Sequence, residues 1–281
     1  MNVIRTQGEM RSEAAAARDR KQTIGLVPTM GALHEGHLSL LRAARSSSDV
    51  VVMSVFVNPL QFGPHEDFSA YPRTETEDLA VAEEEKVDIA FLPSIDEMYP
   101  EGRTTVVNAG PIGEILEGAH RPGHFEGVCT VVAKLFNVVQ PDRAFFGQKD
   151  AQQAAVIRRM ARDLSFATEI VVCPIVRASD GLAMSSRNSY LSDDERRRAT
   201  CLYAALKAGR RAFLSEGVAA AESTMLEVLS DAGAEPDYAR AVAPTFAEPG
   251  SEDAVLLVVA ARVGGARLID NLLVTHDGEE F

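Results

Sequence analysis

The chain has 281 residues, 46% of them hydrophobic, and a formal net charge of −13. That length accommodates one large domain or a large and a small one, and the acidic balance argues against a nucleic-acid partner, which calls for a basic face. No apolar stretch reaches membrane-spanning length, and Met1-Asn2-Val3-Ile4-Arg5 lacks a signal-peptide apolar core; Cys129, Cys173 and Cys201 are too scattered for a disulfide framework or a zinc ribbon, so they are expected as reduced core thiols of a cytosolic, membrane-free protein.

In chain order, a short strand over Asn2–Thr6 and an Ala-rich helix over Met10–Asp19 come first. The apolar run Thr23–Val27 reads as a buried strand closed by Pro28. Beyond it Leu38, Leu40, Leu41 and Ala44 recur at helical spacing, so a helix is expected from near Gly36. Between them lies Pro28-Thr29-Met30-Gly31-Ala32-Leu33-His34-Glu35-Gly36-His37. Strand, tight turn and helix is where open α/β sheets hold ligands, and a helix start offers unpaired N–H groups to an anion, typically phosphate. Gly31 and Gly36 let the backbone come close. His34 and His37, three residues apart, share one face of the helix. A histidine here could equally cap the helix or sit on the surface. A metal pair is the third reading, but zinc usually wants another ligand, none lies close in sequence, and the spacing is not that of His-Glu-x-x-His.

Asp49–Val57 is the next strand, apolar almost throughout, as parallel strands covered on both faces are. It ends in Asn58-Pro59-Leu60-Gln61-Phe62-Gly63. Gln61 is either a substrate contact or a loop amide satisfying backbone groups. Thr74 caps an acidic helix over Glu75–Lys86, and Val87–Leu92 is a strand. Ser94–Tyr99 reads as a turn or short helix, Thr104–Asn108 as a short extended piece and Glu114–Glu117 as a helical turn. Gly118–Gly127 reads as a mobile basic loop, able to close over an anionic substrate or serving only as a connection. An apolar helix follows over Val128–Val139.

The strand Arg143–Phe146 runs into Gly147-Gln148-Lys149-Asp150, which opens a helix to Asp163; Lys149 is well placed for phosphate, though taken alone it reads as a surface lysine. Glu169–Ile175 is a strand. Past the Asp180-Gly181 turn, Met184-Ser185-Ser186-Arg187 lines up two hydroxyls and a guanidinium suited to phosphate oxygens. Ser192 and Glu195 form a capping box. Then come helices over Asp193–Leu214 and Val218–Asp231, a strand over Asp237–Val242, and a hairpin of Ala254–Val263 with Ala266–Val274 around Gly264-Gly265. The tail, Thr275–Phe281, is expected to fray. The fold class is therefore α/β: a Rossmann-like parallel-sheet domain over residues 1–175 and a smaller α+β domain over 176–281.

There is no Gly-x(4)-Gly-Lys-[Ser/Thr] and no Gly-x-Gly-x-x-Gly after a strand, so a usual P-loop or dinucleotide site is not expected. A His-x-Gly-His loop paired with a later Met-Ser loop resembles the nucleotidyltransferase superfamily. The joint set Pro28–His37, Asn58–Phe62, Tyr71–Thr74, His124–Val128, Phe146–Asp150 and Met184–Asn188 resembles, in order and over essentially the whole chain, the pantothenate synthetase (pantoate–β-alanine ligase) family. One departure is Gln148, where many members carry Glu.

The resemblance implies ATP-driven condensation of pantoate with β-alanine through pantoyl adenylate, releasing pyrophosphate and AMP. It implies catalytic roles for His37, His34, Lys149, Ser185, Ser186 and Arg187, with His37 either an acid/base or a donor to phosphate. ATP contacts are implied at Met30, Gly31, Ala32, Leu33, His34, Glu35, Gly36 and His37, at Gly147, Gln148, Lys149 and Asp150, at Val176 beside adenine, and at Met184, Ser185, Ser186 and Arg187. Asp150 would hold the ribose or orient Lys149. Gln61 and Gln153 would hold pantoate, and Gln61 also β-alanine. Met30, Phe62 and Val131 would form an apolar wall, or pack the core. Mg²⁺ is expected with ATP; Glu77 and Asp78 would contribute to it or form a solvated helix start, and no metal site held by the protein alone is expected. A cytoplasmic homodimer is also implied. The rivals are another acid-activating adenylyltransferase and a nucleotide-binding regulator without catalysis.

Overall fold

The computed structural model describes residues 1–64, 66–246 and 254–275, so the tail expected to fray lies, from 276 on, outside the described residues. The order is β1 (Asn2–Ile4), α1 (Gln7–Asp19), β2 (Ile24–Thr29), α2 (Glu35–Ser47), β3 (Val50–Val55), α3 (Glu75–Glu84), β4 (Ile89–Phe91), α4 (Ile95–Met98), α5 (Glu117–His120), α6 (His124–Val139), β5 (Arg143–Gly147), α7 (Ala151–Asp163) and β6 (Glu169–Cys173). It continues with α8 (Asp193–Ala199), α9 (Cys201–Glu216), α10 (Val218–Asp231), β7 (Glu235–Val242), β8 (Ala254–Val263) and β9 (Ala266–Thr275).

The chain divides into two compact units: Met1–Gly147 with Gln152–Cys173, and Gln148–Ala151 with Pro174–Phe281. In the first, six parallel strands run in the order β1-β4-β3-β2-β5-β6. The chain works outward from β2 to β4, then returns to the other side of β2 for β5. That reversal puts the topological switch point, where such sheets bind ligands, at the carboxyl ends of β2 and β5.

Strand residues alternate faces. Leu26 and Val52 pack in one cluster with Met10, Val128, Phe136 and Ile157; Val27, Val51 and Met53 pack in another with Leu41 and Ala44. Helices therefore cover both faces of the sheet, which is why β2 and β3 read as unbroken apolar runs. The second unit has an antiparallel sheet, β7-β8-β9, packed on α9 and α10. The Gly264-Gly265 hairpin forms where expected, with Val263 paired to Ala266.

Three expected elements differ. Gly118–Gly127 is largely helical, because α6 begins at His124 rather than Val128 after a left-handed Gly123 (φ 82°). The helix expected over Asp193–Leu214 is two helices meeting at Thr200, whose hydroxyl donates to the Arg197 carbonyl (2.8 Å), a back-bond that bends helices. Thr104–Asn108 forms no strand; the Val107 N–H goes instead to Thr130 Oγ1 at 3.0 Å. No helix among the described residues is long and apolar enough to cross a membrane.

Candidate active site

In the first unit the chain leaves β2 through two left-handed residues, Gly31 (φ 80°) and Ala32 (φ 50°). A side chain at Gly31 would also meet the Asp78 carboxylate at 2.8 Å. The N–H groups of Ala32 and Leu33 donate to the two oxygens of Asp78 at 3.0 and 2.8 Å, and Thr74, at the N-cap position of α3, donates its hydroxyl to Asp78 at 3.1 Å in place of making the expected capping bond. Asp78 is thus a buried carboxyl that shapes the loop and not a solvated helix residue. Glu77 beside it is exposed. Among the described residues no group of three or more His, Cys, Asp or Glu could hold a metal ion.

The loop ends in a cap made of two histidines. His34 is the N-cap of α2 and its Nδ1 accepts from the Gly36 N–H at 3.1 Å; His37 Nδ1 accepts from the His34 N–H at 3.3 Å. Backbone N–H groups only donate, so both Nδ1 atoms are acceptors and each neutral ring carries its proton on Nε2. The rings lie 4.1 Å apart between centroids. The capping and functional readings of this pair are therefore not alternatives: capping through Nδ1 sets the Nε2–H groups as donors. Glu35 is exposed and pairs with Arg42.

Beside this loop in sequence order, β3 ends in the turn Asn58–Gln61. Gln61 is buried; its Oε1 accepts from Asn58 Nδ2 (3.0 Å) and its Nε2 donates to Met30 Sδ (3.1 Å). Helix α6 passes so close that a side chain at Gly127 would run into the Leu60 carbonyl. The Gln61 carbonyl accepts from His124 Nδ1 at 2.8 Å, and His124 Nε2 faces Arg121 Nη1 at 3.1 Å. Arg121 in turn grips Glu66 with two hydrogen bonds, at 2.6 and 2.8 Å. Burial, reinforced by the Arg121 charge, lowers His124 to a pKa of about 4, so it is a neutral bridge. Burial opposes the charge on Glu66, but Arg121 outweighs it and holds that carboxyl below its ordinary range. Arg121 and His124, read from sequence as part of a basic loop, brace the Gln61 turn in this structure.

On α7, Gln153 is half-buried and its side chain has no protein partner among the described residues. Its neighbour Gln152 is buried and anchors the 112–117 segment through Ile112 and Ile115 carbonyls (2.7 and 2.8 Å) and the Glu117 N–H (3.1 Å). Phe62 packs edge-on against Phe68 and Tyr71, and Val131 belongs to the core cluster.

In the second unit, Asn271 of β9 holds the turn that follows β5. Its Nδ2 donates to the Gln148 and Lys149 carbonyls, both at 2.9 Å, and its Oδ1 accepts from Gln148 Nε2 at 3.2 Å. Lys149 Nζ is 3.4 Å from Asp150 Oδ1. Asp270 is buried and takes two bonds from Arg177 (2.6 and 3.0 Å); burial pushes its carboxyl up against the pull of that guanidinium. Val176 and Met184 are joined by a Met184 N–H to Val176 carbonyl bond of 2.9 Å, which starts the 184–188 loop from a fixed base. Ser185 Oγ then accepts from the Arg187 N–H at 3.3 Å and opens a helical turn over Ser186–Tyr190.

The family model described as pantoate-beta-alanine ligase matches residues 2–273. The chain belongs to the pantoate–β-alanine ligase family. A pantothenate synthetase of Thermotoga neapolitana is 50% identical over 279 residues, covering 98% of this chain and 100% of that protein. The crystal structure of the Thermus thermophilus pantothenate synthetase superposes with a TM-score of 0.91 at 48% identity, over 97% of this chain and 99% of that one. The Francisella tularensis pantoate-beta-alanine ligase gives 0.82 at 33% identity, over 99% of each chain, and was crystallised with beta-gamma ATP and β-alanine. As a pantoate–β-alanine ligase, the chain is an enzyme of pantothenate biosynthesis.

For this ligase, sequence reasoning missed Asn58, Gln152, Asn271 and the Arg177–Asp270 pair. Asn58 sits in a quoted motif, three residues from Gln61, and that proximity was its available signal. The others bond to residues 35 to 123 positions away, and no local pattern marks them.

Proposed function

We propose that the ligase runs on ATP in two half-reactions. In the first, a carboxylate oxygen of (R)-pantoate attacks the α-phosphorus, the bond to the α,β-bridging oxygen breaks, and pyrophosphate leaves with the electron pair. In the second, the amine of β-alanine attacks the acyl carbon, AMP leaves with the former carboxylate oxygen, and the amine gives up a proton. Charge builds on phosphate oxygens, so the protein contributes positioned donors.

The observation that carries this reading is the histidine cap, which fixes Nε2–H on both rings. We assign His34 and His37 Nε2–H to phosphate oxygens, with His37 the donor where charge develops. Lys149, Ser185, Ser186 and Arg187 supply further donors, the Met30–Leu33 and Gly147–Asp150 backbones line the nucleotide, and Val176 meets adenine. Gln153, with no protein partner among the described residues, and Gln61 hold pantoate, and Gln61 also meets β-alanine. Mg²⁺ would accompany ATP, supplying neutralisation of phosphate charge with few protein ligands. In this proposal residues 1–175 form the ATP- and pantoate-binding domain, and 176–281 form the smaller domain that supplies the Met184–Arg187 loop. A homodimer in the cytoplasm, with its three buried cysteines reduced, completes the reading.

Pyrophosphate release from MgATP tests it. Release that requires pantoate, and that turns over only when β-alanine is added, is expected. With ¹⁸O in the pantoate carboxylate, label must appear in AMP. Release with a different acid would overturn the substrate, and unlabelled AMP would overturn the adenylate.

A further inference from the structure

We propose that Tyr99 is a positioning residue: through Asn58 it holds the amide of Gln61 in the orientation in which Gln61 meets its substrate as a hydrogen-bond donor. The inference rests on the assignment of Gln61 to pantoate. It begins at Asn58, which is buried and whose side chain makes four hydrogen bonds. Two of its partners are backbone groups whose roles cannot change. The Leu60 N–H donates to Oδ1 (3.2 Å), and the Gly127 carbonyl accepts from Nδ2 (3.1 Å). These fix which end of the Asn58 amide is oxygen. The Tyr99 hydroxyl, 2.8 Å from Oδ1, therefore donates. The second Nδ2 proton goes to Gln61 at 3.0 Å, so that atom of Gln61 is Oε1. Its Nε2 is then the outward end, with one proton toward Met30 Sδ at 3.1 Å and one in hand.

Polarity thus passes from two backbone groups through Asn58 to the substrate amide, and the Tyr99 hydroxyl, as a further donor to Oδ1, holds Asn58 in that orientation. A Gln61 that presents Nε2–H selects an acceptor, such as a carboxylate oxygen or a hydroxyl lone pair. Tyr99 is itself well fixed: it follows α4, packs edge-on to Phe56 with 5.9 Å between ring centroids, and has Arg103 over its ring at 5.0 Å. Burial pushes its hydroxyl pKa up, so it remains a proton donor at all working pH values.

The test is a double-mutant cycle on KM, with Tyr99→Phe keeping the ring contacts. Alone it should raise KM for pantoate by about five-fold, the weight of one hydrogen bond, and leave KM for ATP unchanged. Gln61→Ala should raise KM for pantoate further, and adding Tyr99→Phe to Gln61→Ala should then change nothing. A Gln61→Ala enzyme with normal KM for pantoate would remove Gln61 from the substrate site, and the inference with it. A raised KM in Gln61→Ala with an unaltered one in Tyr99→Phe would overturn the role of Tyr99 alone. So would a Tyr99→Phe effect of the same size in both backgrounds. Asn58→Asp gives an independent check. Its second oxygen faces the Gly127 carbonyl and turns the Gln61 amide over, so KM for pantoate should rise more than in Tyr99→Phe; an unchanged KM would overturn the inference.

Discussion

In the proposed reaction His37 has two roles through two nitrogens, and they can be separated. Its Nδ1 caps α2, and its Nε2 carries the proton as a donor. His37→Ala should lose about 1 kcal/mol of helix capping and reduce adenylate formation by roughly 10²-fold or more. His37→Asn returns an acceptor to the His34 N–H, so it should recover stability and not activity. Melting temperature and pyrophosphate release, measured side by side, check both; an Asn variant with normal turnover would take Nε2–H out of the chemistry. Asp78 makes a similar case without touching substrate. It accepts from two consecutive N–H groups, and Asp78→Asn turns one acceptor into a donor facing a donor. The expected cost is ~1–3 kcal/mol, with a raised KM for ATP as the Gly31–Leu33 loop relaxes. An unchanged KM for ATP would show that the loop holds its shape without the carboxylate. Capping was one reading of a histidine at this helix start, but neither the nitrogen that caps nor Asp78's anchoring could be read from the sequence. The motif marks which residues matter, but only the backbone partner shows which atom is committed.

At the scale of elements, the strands were legible because burial on both sheet faces leaves unbroken apolar runs, as in Val50–Val55. The start of α6 was not. Gly118–Gly127 carries histidines, an arginine and glycines, and locally that pattern reads as a loop. What makes it helix is remote: Glu66, 55 residues before Arg121, pairs with it, and the Gln61 carbonyl accepts from His124. A neutral, buried His124 at the first position of α6 gives the element a pH dependence. The unfolded chain takes up a proton near the ordinary histidine pKa of 6.5, the folded chain only near 4. Stability is therefore whole above pH 6.5 and falls as pH drops toward 4, by ~3 kcal/mol in all. Denaturant melts at pH 7, 5.5 and 4.5 should show that slope in the native protein and a shallower one in His124→Asn. Equal slopes would mean that His124 already exchanges protons freely in the folded state.

The described residues form two cores that share no residue, one pair of clusters around the parallel sheet and one cluster around β7-β8-β9. The chain crosses between them more than once, since Gln148–Ala151 belongs with the second unit although β5 and most of α7 belong to the first. A boundary placed at 175 from sequence has no means of finding that short excursion, because Gln148 joins the second unit through Asn271, 123 residues away. The buried thiols report on each core separately: Cys129 and Cys173 lie in the first and Cys201 in the second. Burial pushes the Cys129 thiol up to about 12 and raises the other two, so none should react with a thiol reagent in the native protein. Separate cores should open at separate denaturant concentrations. Pulse alkylation across a urea series, read by mass spectrometry, should then label Cys201 in one transition and Cys129 with Cys173 in another. If all three label together, the Gln148–Ala151 excursion and the other chain crossings couple the cores into one cooperative unit. Labelling of any of the three without urea would show that its core opens under native conditions.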